Sequence, residues 1–475
     1  MPLILPGNVA TATASTTYEV ANSCRLEDGD SPHMQRSISA SPTNEDKYTF
    51  SCWVKRGNLV EGVLLGQYSN SSNRAKFGFD SNGKLEYFQV NSGSTSASVA
   101  TTQLFRDVSA WYHIVLAYDS TQGTAANRIK FYVNGTVVSS YADTSYPAEN
   151  LDSQLNRSGN LQMIGQDAND DKYFDGYLAE VVLIDGQALD ATSFGEYNSD
   201  SPTIWQPIDV SGLTFGDDGF YLDFEDSGDL GDDESGKGND FAETNLAAID
   251  QSTDTCTLNY SVMNPLNDHF GGHTFSQGNL KVVAPSGNAA PAPSTFGLSN
   301  GRWYAEVKLT ALGSNQTNVG FSANQPTSDQ HFLGQHAHQY GYYNGNGKIY
   351  NSNDAGTSYG GTYAQGEIVG MYLDLEDNKI YFSIDGTLQN SGTGHTITAA
   401  ASTDLGAYFF AVQHYDNSTA ATYELNFGGT STFTISSAVS DDNGHGSFEF
   451  SPNITGDGSA KKFYAVNSKN LAEFG

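Results

Sequence analysis

Short stretches in which apolar and polar residues alternate recur along the whole chain, five to nine residues long and rich in Tyr, Phe, Val, Ile and Thr. Turns of Gly, Asn, Asp and Ser separate them, and a period of two with such punctuation predicts strands. In residues 48–56, YTFSCWVKR, the residues Tyr48, Phe50, Cys52 and Val54 alternate with Thr49, Ser51 and Trp53. One face is apolar, and the other carries a single aromatic ring. KFGF, KLEYFQV, WYHIVLAYD and RIKFYVNG continue the pattern. The pairs Asn82-Gly83, Asn134-Gly135 and Asp385-Gly386 predict tight hairpins, because these residues tolerate positive φ. No helical period is sustained beyond about two turns, and only LDATSFGEY at 189–197 predicts a short helix. Regular short strands with turn signals predict an all-β protein built of sandwiches or barrels.

The 475 residues suffice for several domains, each with its own core. Between 209 and 254 the composition changes: Asp and Glu number 14 against the single Lys237. A boundary is placed there. APSGNAAPAPSTFGLSN (284–300) reads as a second loose stretch, and GDGSA (456–460) sets off a last aromatic segment. The expected organisation is an N-terminal arm at 1–17, a β-sandwich at 18–205, an acidic connector with short strands at 206–290, a second sandwich at 291–430 and an extension at 431–475. Heptads, collagen triplets and exact repeats are absent. The echo between GFYLDFED (219–226) and GMYLDLED (370–377) is too short to make a repeat.

Charge narrows the partners. With 22 Lys and Arg against 54 Asp and Glu, the net charge is −32, which repels nucleic acid and anionic lipid headgroups. The 27 Tyr and 26 Phe argue against disorder. Cys24, Cys52 and Cys256 are odd in number and lack metal spacing, so they read as buried thiols. MPLILPGNVATATAS has no basic start and its apolar run stops at Pro6, so no export signal is recognised. No apolar stretch is long enough for a membrane-spanning helix, and no membrane insertion is expected.

The segment 18–205 resembles the laminin-G-like and pentraxin-like concanavalin A superfamily through TFSCWVKR, AWYHIVLAYD (110–119), IKFYVNG (129–135), LQMIGQ (161–166) and YFDGYLAEVVLIDGQALD (173–190). That resemblance implies a jelly-roll of two antiparallel sheets, with Trp111 and Phe174 in the core and Asp175-Gly176 in a turn. The segment 296–430 looks like a SPRY domain through GRWYAEVKL (301–309), NVGFS (318–322), GEIVGMYLDLEDNKIYFSIDGTL (366–388) and ELNFGG (424–429). It implies a second sandwich that recognises partners by loops at one edge. A polar insert between Phe321 and Glu367 departs from the eukaryotic pattern, so partner specificity does not transfer. Together, the two modules, the acidic stretch DGFYLDFEDSGDLGDDESGKGNDF (218–241) and the closing FYAVNSKNLAE resemble structural proteins of marine tailed phages, including cyanophage tail fibres and appendages. Release by lysis then accounts for the absent export signal.

Candidate sites follow from residue type. Asp226, Asp229, Asp232 and Asp233, with Asp240 nearby, offer loop oxygens of the kind Ca²⁺ takes, although the spacing is not that of an EF-hand. Asp167, Asn169, Asp170 and Asp171 form a second such group. A solvated acidic loop is the alternative reading of both. In HFLGQHAHQYGYYNGNGKIY (331–350), His331, His336 and His338 suggest a transition metal, and an extended chain would put His336 and His338 on one face. Tyr340, Tyr342 and Tyr343 suit a carbohydrate or partner surface, against the alternative that Tyr340 and Tyr342 fill the core. The paired carboxylates of a concanavalin-A-like glycosidase are missing, as are G-x-S-x-G, a P-loop and H-E-x-x-H. No enzyme is expected.

These readings converge on a virion structural protein, a tail fibre or surface appendage binding host glycan or receptor noncovalently and contacting other virion proteins. No cofactor is required, and Ca²⁺ at the acidic loops is the one candidate ion. Fibres are commonly trimeric, so a homo-oligomer, in the form of a trimer, is expected. An architectural capsid or tail decoration protein that binds only virion subunits, and a secreted lectin-like adhesin, are the alternatives.

Overall fold

The alternation in residues 48–56 becomes the strand Lys47–Arg56, whose Tyr48, Phe50, Cys52 and Val54 point into a core between two sheets. The computed structural model describes residues 18–38, 41–167, 172–269, 272–288, 290–312, 316–325, 330–352, 355–416, 418–456 and 459–475. The chain divides into two units between Thr257 and Leu258. The N-terminal arm at 1–17 lies outside the described residues.

In the unit ending at Thr257, one sheet runs in the order Thr136–Val137, Ile129–Val133, Trp111–Asp119, Lys47–Arg56, Gly176–Asp185, Ser23–Leu26, Gln251–Ser252, with Phe220–Leu222 also on Gly176–Asp185. The other runs Tyr141–Ser145, Ser94–Leu104, Lys84–Asn91, Asn73–Phe79, Gly62–Asn70, Leu161–Ile164, His33–Ser37, Ala242–Thr244. All pairings in both are antiparallel among the described residues. The sheets meet where Phe50 packs edge-on against Phe77, 6.0 Å between centroids. Phe174 is core, as the resemblance implies, whereas Asp175-Gly176 is no hairpin turn: Gly176 opens the strand Gly176–Asp185. All ten residues of that strand are buried, because the outer face of its sheet is covered as well. Val20, Trp53, Trp111, Tyr177 and Ala179 cluster there, and so do Val182, Ile184, Phe194, Val210, Phe215 and Tyr221.

The stretch expected as an acidic connector is divided between the units. Phe220, Leu222, Phe224, Leu230 and Phe241 enter the first core, and the intervening acids stay mostly at the surface. Arg36 binds this segment: its guanidinium lies 5.1 Å from the rings of both Phe220 and Phe241 and donates to the carbonyl oxygen of Asp218 at 2.5 Å. Residues 258–290 belong instead to the second unit, where Thr274–Ser276, Lys281–Ala284 and Gly287–Asn288 join its sheets. The loose stretch at 284–300 is no linker either, since Ala292–Pro293 pairs with Phe409–Asp416.

The second unit is another sandwich. One sheet runs Thr274–Ser276, Lys281–Ala284, Ala421–Asn426, Arg302–Leu312, Ile368–Asp374, Lys379–Ile384, Thr387–Leu388; the other runs Gly287–Asn288, Phe409–Asp416, Thr317–Ser322, Gln339–Tyr343, Lys348–Tyr350, Thr357–Ser358. Phe321 meets Phe382 between them at 6.0 Å. The C-terminal extension packs back on this unit. Tyr464–Ala465 lies parallel to Arg302–Leu312, and Phe448, Ile454 and Phe463 bury against Tyr304, Tyr372 and Tyr381. Buried Glu306 accepts from the backbone N–H groups of Glu449 and Phe450, and Lys461 bridges Asp374 and Asp377 at 2.8 and 2.6 Å.

Locally, Asn134-Gly135 and Asp385-Gly386 are two-residue turns with φ of 45° and 77°, and 43° and 75°, the left-handed pair that primed hairpins require. Asn82-Gly83 ends a longer loop in which only Gly83 has positive φ. The predicted helix at 189–197 reduces to a single 3₁₀ turn, Ala191–Ser193, capped by Asp190, because Gly195–Tyr197 extends to pair with Trp205–Pro207. The α-helix among the described residues is Ser468–Phe474, and no helix there is long and apolar enough to cross a membrane. Cys24 and Cys52 are buried free thiols; Cys256 is free and only partly buried.

Candidate recognition sites

The strand Gln339–Tyr343 decides the fate of the aromatic candidates. Its period of two sends Tyr340 and Tyr342 into the core, 2% and 0% exposed, where Tyr342 stacks on Phe382 at 4.8 Å. Neither presents a ring to a ligand. Tyr343 has the opposite parity and is half-buried on the outer face. There Tyr350, from Lys348–Tyr350, meets it edge-on at 5.8 Å. Phe332 joins Tyr350 and Tyr415, each at 6.0 Å. These four half-exposed rings form a patch that sequence reading located only in part. Phe332 and Tyr350 sit within the quoted segment; Tyr415 is far from it in sequence and arrives through Phe409–Asp416.

The histidines do not gather as metal ligands. Residues 333–338 form turns rather than an extended strand, so His336 and His338 share no face. His338, at φ 63°, meets Asp404 at 3.3 Å, while buried His331 packs edge-on against His336 at 4.6 Å. Gln339 donates from Nε2 to the carbonyl of Asn324 at 3.0 Å and approaches Nε2 of His331 at 3.1 Å. His331 and Gln339 also line a small pocket with Asn267, His269, Asn324 and Gln325, walled by Pro291 and Pro293. Among the described residues its lining offers amide and imidazole groups on an apolar wall and no carboxylate.

The acidic candidates separate in the same way. Asp233 is 7% exposed and spends its carboxylate on the chain itself: it accepts from the backbone N–H of Tyr221, Ser235 and Asn239 at 2.8 to 2.9 Å. It folds the loop and is committed before any cation arrives. Asp226, Asp229 and Asp232 are exposed. Asp232 is raised above the usual carboxylate range by burial and by Asp240 and Asp229. Asp167 is buried at 8% exposure, and Asn169, Asp170 and Asp171 lie outside the described residues.

A different trio converges. Among the described residues, Glu27, Asp28 and Asp175 are the group whose oxygens all lie within 4.8 Å of one another. Asp175 is 4% exposed and accepts from the backbone N–H of Asn58 at 2.8 Å, and the Asn58 amide donates to Asp28 at 3.1 Å. Burial first, then the charges of Glu27 and Asp28, push the Asp175 carboxyl well above its usual range. The chemistry of such a trio suits a shared proton or a hard cation. Glu27 and Asp28 lie together in LEDGD at 26–30, a signal that sequence reading did not single out, and only the pairing of Ser23–Leu26 with Gly176–Asp185 adds the third acid.

One serine–histidine pair also tests for catalysis. Ser51 Oγ lies 2.9 Å from Nε2 of His113, and Trp205 Nε1 lies 3.0 Å from Nδ1. An indole N–H only donates, so Nδ1 is the acceptor and Nε2 carries the hydrogen toward Ser51. The ring therefore has no lone pair for the serine proton, and burial pushes His113 down to about 3, which keeps it neutral. Through Trp205, His113 ties the sheet to its outer cover.

Comparison with known proteins fits this geometry. The model of the concanavalin A-like lectin/glucanases superfamily (Laminin_G_3) matches residues 28–193, and the SPRY domain model matches 302–430. Ran-binding protein 9 of Homo sapiens is 30% identical over 125 residues, 26% of this chain and 16% of that protein. Ran-binding protein 10 of Danio rerio is 29% identical over 124 residues, 26% of this chain and 19% of its own length. The match thus spans less than a fifth of these relatives. Among solved structures, a heptameric SAP-like pentraxin from Limulus polyphemus aligns at 15% identity and TM-score 0.27, covering 36% of this chain and 80% of that one. A human SPRY domain aligns at 19% identity and TM-score 0.25, covering 31% and 90%. The chain carries a concanavalin A-like domain followed by a SPRY domain.

Proposed function

We propose that this chain is a noncovalent recognition protein with no catalytic step, and that its second sandwich presents the binding surface. The observation that carries this reading is the ring patch Phe332, Tyr343, Tyr350 and Tyr415 beside the amide- and imidazole-lined pocket. Rigid rings supply apolar area at low entropic cost, and neutral amides supply hydrogen bonds without charge. That combination suits a neutral glycan on a cell surface. The order of the modules and the acidic composition support the finer form of the proposal: a tail fibre or surface appendage of a tailed virion, assembled as a homo-oligomer with other virion proteins. The match to proteins named for binding Ran supports a second reading, in which the same surface takes a protein partner, such as a neighbouring virion subunit.

The test is binding of the purified full chain to a glycan array and to whole cyanobacterial cells, with and without Ca²⁺. Saturable binding that Tyr350→Ala weakens about tenfold is expected. Calcium dependence would assign a cation role to the acids. No binding to any glycan or cell, with capture of a virion subunit instead, would replace the first reading by the second.

A further inference from the structure

In the first sheet, Lys55 stands directly opposite Trp111 on one neighbouring strand and Tyr177 on the other, so the three share a face. Val20, Trp53 and Ala179 pack with those two rings on the same face. The chain that follows Gln251–Ser252 brings Asp254 to it. Lys55 Nζ meets Asp254 Oδ2 at 2.7 Å, and Trp111 Nε1 donates to Asp254 Oδ1 at 3.0 Å. The two charged side chains are 0% and 2% exposed. Nζ also lies 5.7 Å from the centre of the Tyr177 ring. The backbone of Asp254 is fixed too: its N–H donates to Ser252 Oγ at 3.0 Å, and its carbonyl accepts from Ser23 Oγ at 2.6 Å.

Two full charges are costly in such a place, because both lose their hydration. Burial pulls the Lys55 ammonium down while Asp254 pulls it up. Moving one proton along the 2.7 Å contact turns the ion pair into an amine and a carboxylic acid, the two halves of an amide. The neutral form need only be a minor one, since a stable amide, once made, drains it. Fixed geometry favours the step. Nζ touches an atom bonded to Cγ, and a nucleophile held there acts at high effective concentration. Oδ2 faces the nitrogen that supplies protons, and Oδ1 already receives an N–H, a donor aimed where negative charge would develop.

We propose that Lys55 and Asp254 are joined by an isopeptide bond that the folded chain forms by itself. The Nζ lone pair adds to Cγ, and Oδ1 takes the negative charge beside the Trp111 N–H. Oδ2, carrying the proton first passed from Nζ, receives a second from the nitrogen and leaves as water while Oδ1 returns to a carbonyl. The Cγ–Nζ bond forms, the Cγ–Oδ2 bond breaks, and no oxidant, reductant or cofactor enters. The link ties Lys47–Arg56, the middle strand of its sheet, to the last residues of the first unit. A covalent tie that closes so long a loop restricts the unfolded chain strongly, and it keeps the unit from opening at its C-terminal end. It is independent of what the second sandwich binds.

Mass spectrometry of the purified full chain tests it. A proteolytic digest should contain a branched peptide that joins the Lys55 and Asp254 segments, lighter by one water than the two separate peptides. Lys55→Met and Asp254→Ala should each abolish that peptide and regain the mass of the water in the intact chain. Asp-Gly pairs such as Asp385-Gly386 also lose water, by cyclising, so the branched peptide is the deciding species. A wild-type digest that yields both segments only as separate peptides, with or without water loss elsewhere, would overturn the bond. The wild-type digest decides alone, whether or not the variants fold.

Discussion

Arg36 shows how one side chain converts an acidic stretch into part of a sandwich. Its planar cation lies against the rings of both Phe220 and Phe241 while its N–H groups reach Gln162 at 2.9 Å and the carbonyl of Asp218. A lysine has neither the flat face for two rings nor the forked donors. Arg36→Lys should therefore destabilise the unit by on the order of 2 kcal/mol, read as a lowered melting temperature, and should open residues 217–241 to limited proteolysis. An unchanged melting curve would show that the aromatic residues alone hold the segment. Asp233 works on the same scale. Its carboxylate, met by three backbone N–H groups, illustrates why aspartates listed together in a sequence do not act together: one is spent on folding and its neighbours face water.

Elements set which residues face outward. In YGYY, residues 340–343, parity alone separates the core rings Tyr340 and Tyr342 from the outward Tyr343, yet which parity is inward depends on where the facing sheet lies. The two-residue hairpins were legible from their Asn-Gly and Asp-Gly pairs because local φ requirements fix them. Residues 189–197 were misread as helix because local spacing cannot register the strand Trp205–Pro207 that draws Gly195–Tyr197 into extension. Gly135 tests the hairpin argument. At φ 77°, with the Trp205 ring 2.3 Å from where a Cβ would stand, Gly135→Ala should cost about 2 kcal/mol or more in thermal or denaturant unfolding. A loss within a few tenths would mean that the turn and Trp205 both relax freely.

For the whole molecule, the decisive question is where each core ends. Strands Phe220–Leu222, Ala242–Thr244 and Gln251–Ser252 complete the sheets of the first sandwich, and Phe220, Leu222, Phe224, Leu230 and Phe241 fill its core. At about 2 kcal/mol for each buried side chain, those five match the net stability of a whole domain, about 5 to 15 kcal/mol. A fragment of residues 18–257 should melt cooperatively, and one of residues 18–205 should not. Cooperative melting of the shorter fragment would restore the boundary that composition suggests. The sequence by itself determined the all-β class, the strand texture and the primed hairpins, since these depend on periodicity and on turn chemistry within a few residues, and it showed the two sandwich modules through their resemblance to known families. Tertiary structure alone decided that the acidic stretch is sandwich rather than connector, that Tyr340 and Tyr342 are core while Phe332 and Tyr415 join the surface, and that Asp175 meets Glu27 and Asp28. Each of those depends on strands distant in sequence lying side by side, and the partner of a strand is set by the burial of both faces, which no local pattern encodes.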